Sequence, residues 1–150
     1  ELRDIQRALQ FAVSDEFGYR PEVINGDTNS SSDRGPSRQT LIDAFQKKPG
    51  FGVIILSTTA VGFGVNVQAA NHVIHFTRPW NPAKEDQATD RAYRIGQTRD
   101  VHVYYPTVIS DGLTTFEQTL DSLLARKRSL AADMLNGSGD IEIAEFSTNI

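Results

Sequence analysis

Short runs rich in β-branched residues alternate along this chain with stretches of helical periodicity, and that alternation constrains its fold most. The continuous apolar run at 51–57, held between Pro49-Gly50 and Thr58, predicts a strand buried on both faces. Weaker strand candidates lie at 22–24, 72–76 and 101–105. Leu2, Ile5, Leu9, Val13 and Phe17 recur every three to four residues and predict a helix over 2–17, stopped by Gly18. A second helix is expected over 36–47, with Pro36 in its first turn and Leu41, Ile42 and Phe45 facing inward. A third starts at Asn81 as cap, with Pro82 in the first turn and Glu85 and Asp86 favouring its dipole. The last is expected over 113–135, with Phe116, Leu120, Leu123, Leu124, Leu130 and Met134 as its apolar stripe. Residues 25–36, rich in Asn, Ser, Asp and Gly, read as a loop, and 137–150 as a flexible tail. Strands alternating with helices predict an α/β domain with a mostly parallel sheet.

Composition removes several function classes. A chain of 150 residues can bury about 70% of its unfolded surface without staples. With 39% apolar and 23% charged residues it is neither collagen-like, coiled coil nor wholly disordered. The absence of Cys excludes disulfides, thiolate zinc sites and a cysteine nucleophile. The purely apolar run at 53–56 is far too short to cross a bilayer, and Glu1-Leu2-Arg3-Asp4 does not open a signal peptide. A net charge of −4 excludes a generally basic surface, so nucleic-acid contacts would have to come from local patches.

Complete catalytic motifs are missing. None of Lys47, Lys48, Lys84 and Lys127 has the Gly-Lys-Ser/Thr context of a phosphate-cradling loop. Asp15-Glu16 falls in a helix, away from the strand end where a Mg²⁺-holding carboxylate belongs. His72 and His75 are three apart on a strand and so face opposite ways, and no metal site is expected.

Three features remain. Ser57-Thr58-Thr59-Ala60-Val61-Gly62-Phe63-Gly64-Val65-Asn66 follows the buried strand, where ligands of open α/β sheets bind. Gly62 and Gly64 allow close backbone approach and Asn66 offers hydrogen bonds, although such a segment is equally a plain tight turn. On the third helix, Gln87, Arg91 and Arg94 stand at i, i+4 and i+7 and so share one face, with Ala88, Ala92 and Ile95 on a parallel stripe that can face the sheet. Two guanidiniums beside a glutamine suit a phosphate or carboxylate, but a solvated face with Asp86 and Asp90 as ion-pair partners fits the same spacing. Arg126-Lys127-Arg128 reads as a solvated basic triplet, with DNA contact as the alternative. Arg34 and Arg38 flank the start of the second helix, where backbone N–H groups also favour anions.

The stretch ILSTTAVGFGVNVQAANHVIHF, then WNP, then DQATDRAYRIGQTRDVHVYY resembles the second, C-terminal RecA-like lobe of Swi/Snf-type helicase-like ATPases, double-stranded-DNA translocases of superfamily two. Ser57 to Asn66 match the family's motif V and Asp90 to Gln97 its motif VI without a gap. The ING at 24–26, Arg38 and Phe45 fit its upstream pattern, and TTFEQTLDSLLARKRSL its brace-like helix. The resemblance implies a lobe over 1–136 that lacks the family's first, motif IV strand, leaving a sheet position open to artificial self-association. It implies Arg94 as an arginine finger and Arg91 as its partner, both reaching ATP held with Mg²⁺ mainly by a first lobe on the same parent chain. Gly62, Gly64, Asn66 and Gln87 would line the nucleotide side, and Thr58 and Thr59 the DNA side. Arg34 and Arg38 are further DNA-contact candidates. Thr77 stands where the family usually has an acid, which leaves Trp80 as structural packing. The wording of residues 73–97 is closest to bacterial members, implying a nucleoid-associated cytoplasmic protein, or a nuclear one if eukaryotic. A non-catalytic RecA-like scaffold and a group-transfer enzyme holding a nucleotide by its own glycine turn are the alternatives, and neither requires paired arginines after that turn.

Overall fold

A computed structural model describes residues 2–28, 35–57, 60 and 64–136. Among them lie helix α1 (Leu2–Phe17), strand β1 (Glu22–Ile24), helix α2 (Arg38–Lys47) and strand β2 (Ile54–Leu56). Strand β3 (His72–Ile74), helix α3 (Pro82–Thr89), strand β4 (His102–Tyr104) and helix α4 (Phe116–Asn136) follow. The tail at 137–150 lies outside the described residues.

Local chemistry accounts for the helix ends. Gly18, at φ 61°, takes the left-handed conformation past α1 while its N–H donates to Ser14 O at 3.0 Å. Ser37, not Pro36, begins α2: its hydroxyl accepts from Thr40 N at 3.2 Å, which places the proline before the cap rather than in the first turn. Asn81 caps α3 through Ala83 N at 3.0 Å, with Pro82 opening the helix as expected.

Among the described residues the strands pair in parallel. Glu22, Val23 and Ile24 of β1 stand opposite Ile54, Ile55 and Leu56 of β2. His72, Val73 and Ile74 of β3 likewise face His102, Val103 and Tyr104 of β4. Among the described residues the two pairs form separate two-stranded sheets rather than the one sheet expected. They nevertheless share a core: Ile24, Ile42, Ala60, Val65, Val67 and Ala92 are buried, with Ile54 and Leu56 of β2 and Val73 of β3 packed against them. Fully burying one such isoleucine is worth about 2 kcal/mol.

Two expectations of burial are corrected. β2 is half-buried along its length, pairing only with β1 among the described residues, and Phe51 ahead of it is exposed. On α4 only Leu120 and Leu124 of the predicted stripe are buried, while Phe116, Leu130 and Met134 are exposed.

Candidate active site

The site lies where the segment after β2 meets the segment after α3. Thr58, Thr59 and Gly62 fall outside the described residues. Gly64 has φ 76°, a left-handed conformation that strains any other residue. Beyond it Val65 and Val67 turn into the core, so the alternating Asn66 and Gln68 remain half-buried. Asn66 Nδ2 donates to Gln68 Oε1 at 3.3 Å, and Gln68 Nε2 donates to the Ile95 carbonyl. The Asn66 Oδ1 is buried with no hydrogen-bond partner among the described residues.

α3 does not carry the arginines. It ends at Thr89, and the Arg91 carbonyl accepts from Val67 N at 3.0 Å instead of continuing the helical ladder. The expected single face of Gln87, Arg91 and Arg94 is therefore replaced by an exposed Gln87 on α3 and two arginines in the turns that follow. For the same reason Ile95 leaves the predicted inner stripe and is 98% exposed, while Ala92 stays in the core. Arg91 is half-buried with its Nε shielded and unpartnered among the described residues, and Arg94 is exposed. Both line an open cleft of about 610 Å³, together with Asp90, Tyr93 and the turn through Gln97. Gly64, Asn66 and Gln87 are not among its lining residues. Asp86 pairs with Arg128, at 2.9 Å, rather than with either arginine.

Gln97 fastens this turn. Its Nε2 lies 2.9 Å from Gln68 O, 2.9 Å from Ala70 O and 3.2 Å from Ala92 O, and its Oε1 accepts from Arg99 N at 3.1 Å. One neutral side chain thus ties both segments together, and stranding buried carbonyls costs about 1–3 kcal/mol each. Gln68 was not singled out in the sequence. The alternation Val65-Asn66-Val67-Gln68 is the signal that marks it, since it puts both amides on the face opposite the core.

A buried ionic cluster supports α3 from the other side. Glu85 stands in the first turn of α3, as expected for the dipole, and has no exposed surface, so it is also a buried anchor. Arg78 forks onto it, Nε to Oε1 at 2.7 Å and Nη2 to Oε2 at 3.1 Å, and also bonds Asp121. Arg128 Nη2 reaches Glu85 Oε2 at 2.7 Å. The Arg78 guanidinium sits 4.3 Å from the centre of the Tyr105 ring, on which His75 stacks at 5.2 Å. His75 Nε2 is 2.9 Å from the Thr89 hydroxyl, which also bonds Glu85 O at 3.3 Å.

Burial pushes the Glu85 carboxyl up, but the hydrogen bonds from Arg78 and Arg128 outweigh it and hold the group below its usual range. Burial also lowers His75, with Glu85 opposing and Arg78 assisting. A histidine held neutral by the fold is protonated first in the unfolded chain, so its stabilisation is complete above about pH 6.5 and is lost below that value. The Glu85 contribution persists to lower pH and is lost as pH falls through its depressed folded value. Thermal unfolding should therefore show a melting temperature that is steady above neutrality and declines from about pH 6.5 downward. In His75→Gln the first part of that decline should disappear. An unchanged slope in the variant contradicts the assignment.

The remaining candidates fall elsewhere. Arg38 opens α2 and donates to Gly26 O at 3.2 Å, and Arg34 lies outside the described residues. Arg126 and Lys127 of the basic triplet are exposed, as a solvated face would be, but Lys127 also donates to Trp80 O at 2.9 Å and Arg128 is ion-paired. Trp80 packs edge-on against Phe116, with ring centres 5.6 Å apart. His72 is exposed and His75 buried, on opposite faces of the strand as expected.

Parallel strand pairs with an arginine-lined cleft beyond their connecting turns define a RecA-like α/β lobe. Residues 3–96 match the helicase conserved C-terminal domain, and the chain belongs to that family, in its Swi/Snf-type branch. It is 69% identical over 146 residues to the Zorya protein ZorD of Escherichia coli O139:H28 (97% of this chain, 14% of that protein). It is 43% identical over 132 residues to the putative ATP-dependent helicase/translocase YwqA of Bacillus subtilis (88% of this chain, 13% of that protein). The solved C-terminal part of the Fun30 ATPase domain superposes with a TM-score of 0.68 at 33% identity, covering 81% of this chain and 36% of that one. The chain thus spans only a small part of these curated relatives. Among the described residues, no helix is long and apolar enough to cross a membrane.

Proposed function

We propose that this chain is the second motor lobe of a longer DNA-dependent ATPase that translocates on double-stranded DNA. The observation that carries the reading is one cleft holding an exposed Arg94 and a half-buried Arg91 with an unpartnered Nε. Unspent guanidinium donors of this kind suit the oxygens of a polyphosphate. With Asp90 as its single carboxylate, the cleft does not suit a divalent cation, so Mg²⁺ belongs with the first lobe. ATP supplies the phosphoryl group, and the role of this chain is to place positive charge where negative charge develops. Arg94 is the finger and Arg91 its neighbour, with Gln97 fixing the backbone that carries both. Asn66 reaches that backbone through Gln68 and Ile95, which supports a link between the segment after β2 and the cleft. Thr58, Thr59, Arg34 and Arg38 are the DNA-side candidates. DNA-driven movement of one lobe against the other would ratchet the duplex.

The test compares ATP turnover by the full-length protein without DNA, with single strands and with duplex, alongside displacement of a third strand from a triplex. Duplex-stimulated turnover coupled to displacement is the expected result, with no turnover by the 150-residue chain alone. Turnover indifferent to DNA, or steady hydrolysis by the isolated chain, overturns the reading. Absence of turnover in the full-length protein leaves a non-catalytic scaffold.

A further inference from the structure

The arginine turn hangs from the C-terminal end of α3, and the opposite end of that helix is gripped by α4. Lys127 Nζ donates to Trp80 O at 2.9 Å, just ahead of the α3 cap. Asp121 holds Arg78, which forks onto Glu85. Arg128 bridges Glu85 and Asp86, at 2.7 and 2.9 Å. Exposed ion pairs fix little, but Glu85 is 0% exposed and Arg78 only 7%, so the contacts between them are shielded from water and costly to break. α3 is eight residues long, so any shift of its first turns is carried to Arg91 within a few residues.

We propose that Arg128 is a positioning residue: through Glu85 and Asp86 it makes the pose of α3, and with it the placement of Arg91 and Arg94, depend on α4. The proposal rests on the reading of Arg94 given above. Arg128 touches neither of those arginines, so its effect must pass through them. This separates positioning from mere stabilisation.

The test is steady-state ATP kinetics of the full-length protein at saturating duplex DNA, for wild type, Arg128→Met, Arg94→Ala and the double variant. Methionine keeps the apolar stem of a side chain that is already 36% exposed. Asp86→Asn, on the exposed arm of the same contact, provides a milder version. All assays are run well below each variant's melting temperature. Arg128→Met is expected to lower kcat about fivefold with KM for ATP little changed, and to cause no further fall in the Arg94→Ala background. Unaltered kcat, a change in KM alone, or an additive fall in the double variant overturns the positioning role. If Arg94→Ala itself turns over at the wild-type rate, the reading of the cleft fails and the proposal fails with it. A crippled Arg94→Ala beside a normal Arg128→Met removes the proposal alone.

Discussion

Replacing Arg94 by alanine in the full-length protein is expected to reduce duplex-stimulated ATP turnover at least about a hundredfold, since an arginine finger is worth roughly 10³–10⁵ in rate. The loss should fall on kcat, because a finger acts on charge that grows in the transition state and contributes little to ground-state binding. The structure gives a reason to expect little collateral damage. Arg94 is exposed, and its side chain makes no hydrogen bond or ion pair among the described residues, so its removal strands nothing. The backbone at this position is held independently, by the Gln97 N–H on the Arg94 carbonyl at 2.9 Å and by the Gln97 amide. Steady-state kinetics with a melting curve of the same preparation checks both halves. Normal turnover in a folded variant leaves the arginines without a catalytic role.

Glu85→Ala is expected to act oppositely, with a large loss of stability: about 3–5 kcal/mol, the usual cost of removing one partner from a buried ion cluster. Its side chain is fully buried, and deletion leaves the Arg78 guanidinium, 7% exposed, with only the largely exposed Asp121 to balance it. For a domain of this size that corresponds to a fall of roughly 10 °C in melting temperature. Glu85→Gln keeps the volume and should cost less. Replacing Arg78, Glu85 and Arg128 together by apolar residues of similar volume should cost less than Glu85→Ala, because only the exposed carboxylates of Asp86 and Asp121 are then left without their partners. Thermal unfolding of the series checks the order. A Glu85→Ala protein that melts with the wild type would show that the cluster is bypassed in solution.

What could be read from the sequence was local or contiguous. Gly18 and the Asn81-Pro82 pair mark helix ends because capping involves neighbours only, and Asp90 to Gln97 are recognisable because the motif is unbroken. What escaped depends on contacts between distant segments. Helical periodicity extends α3 to Ile95, but Val67 N captures the Arg91 carbonyl and the helix stops at Thr89. Glu85 looks like an ordinary first-turn acid, and only the convergence of Arg78 and Arg128 turns it into a buried anchor. The split into two strand pairs has a similar origin: each strand candidate was identified, but which edges meet is a tertiary outcome.

The fastening of the arginine turn by Gln97 also bears on how a motor of this kind would respond to its ionic surroundings. An amide on three carbonyls carries no net charge, so added electrolyte does little to it, while phosphate contacts along a duplex weaken steeply as counterions compete. On the proposed reading, grip on the track and geometry of the finger would therefore be governed by forces of different kinds. A motor lobe built in this way would let salt release the duplex many times over without disturbing the turn that carries Arg94.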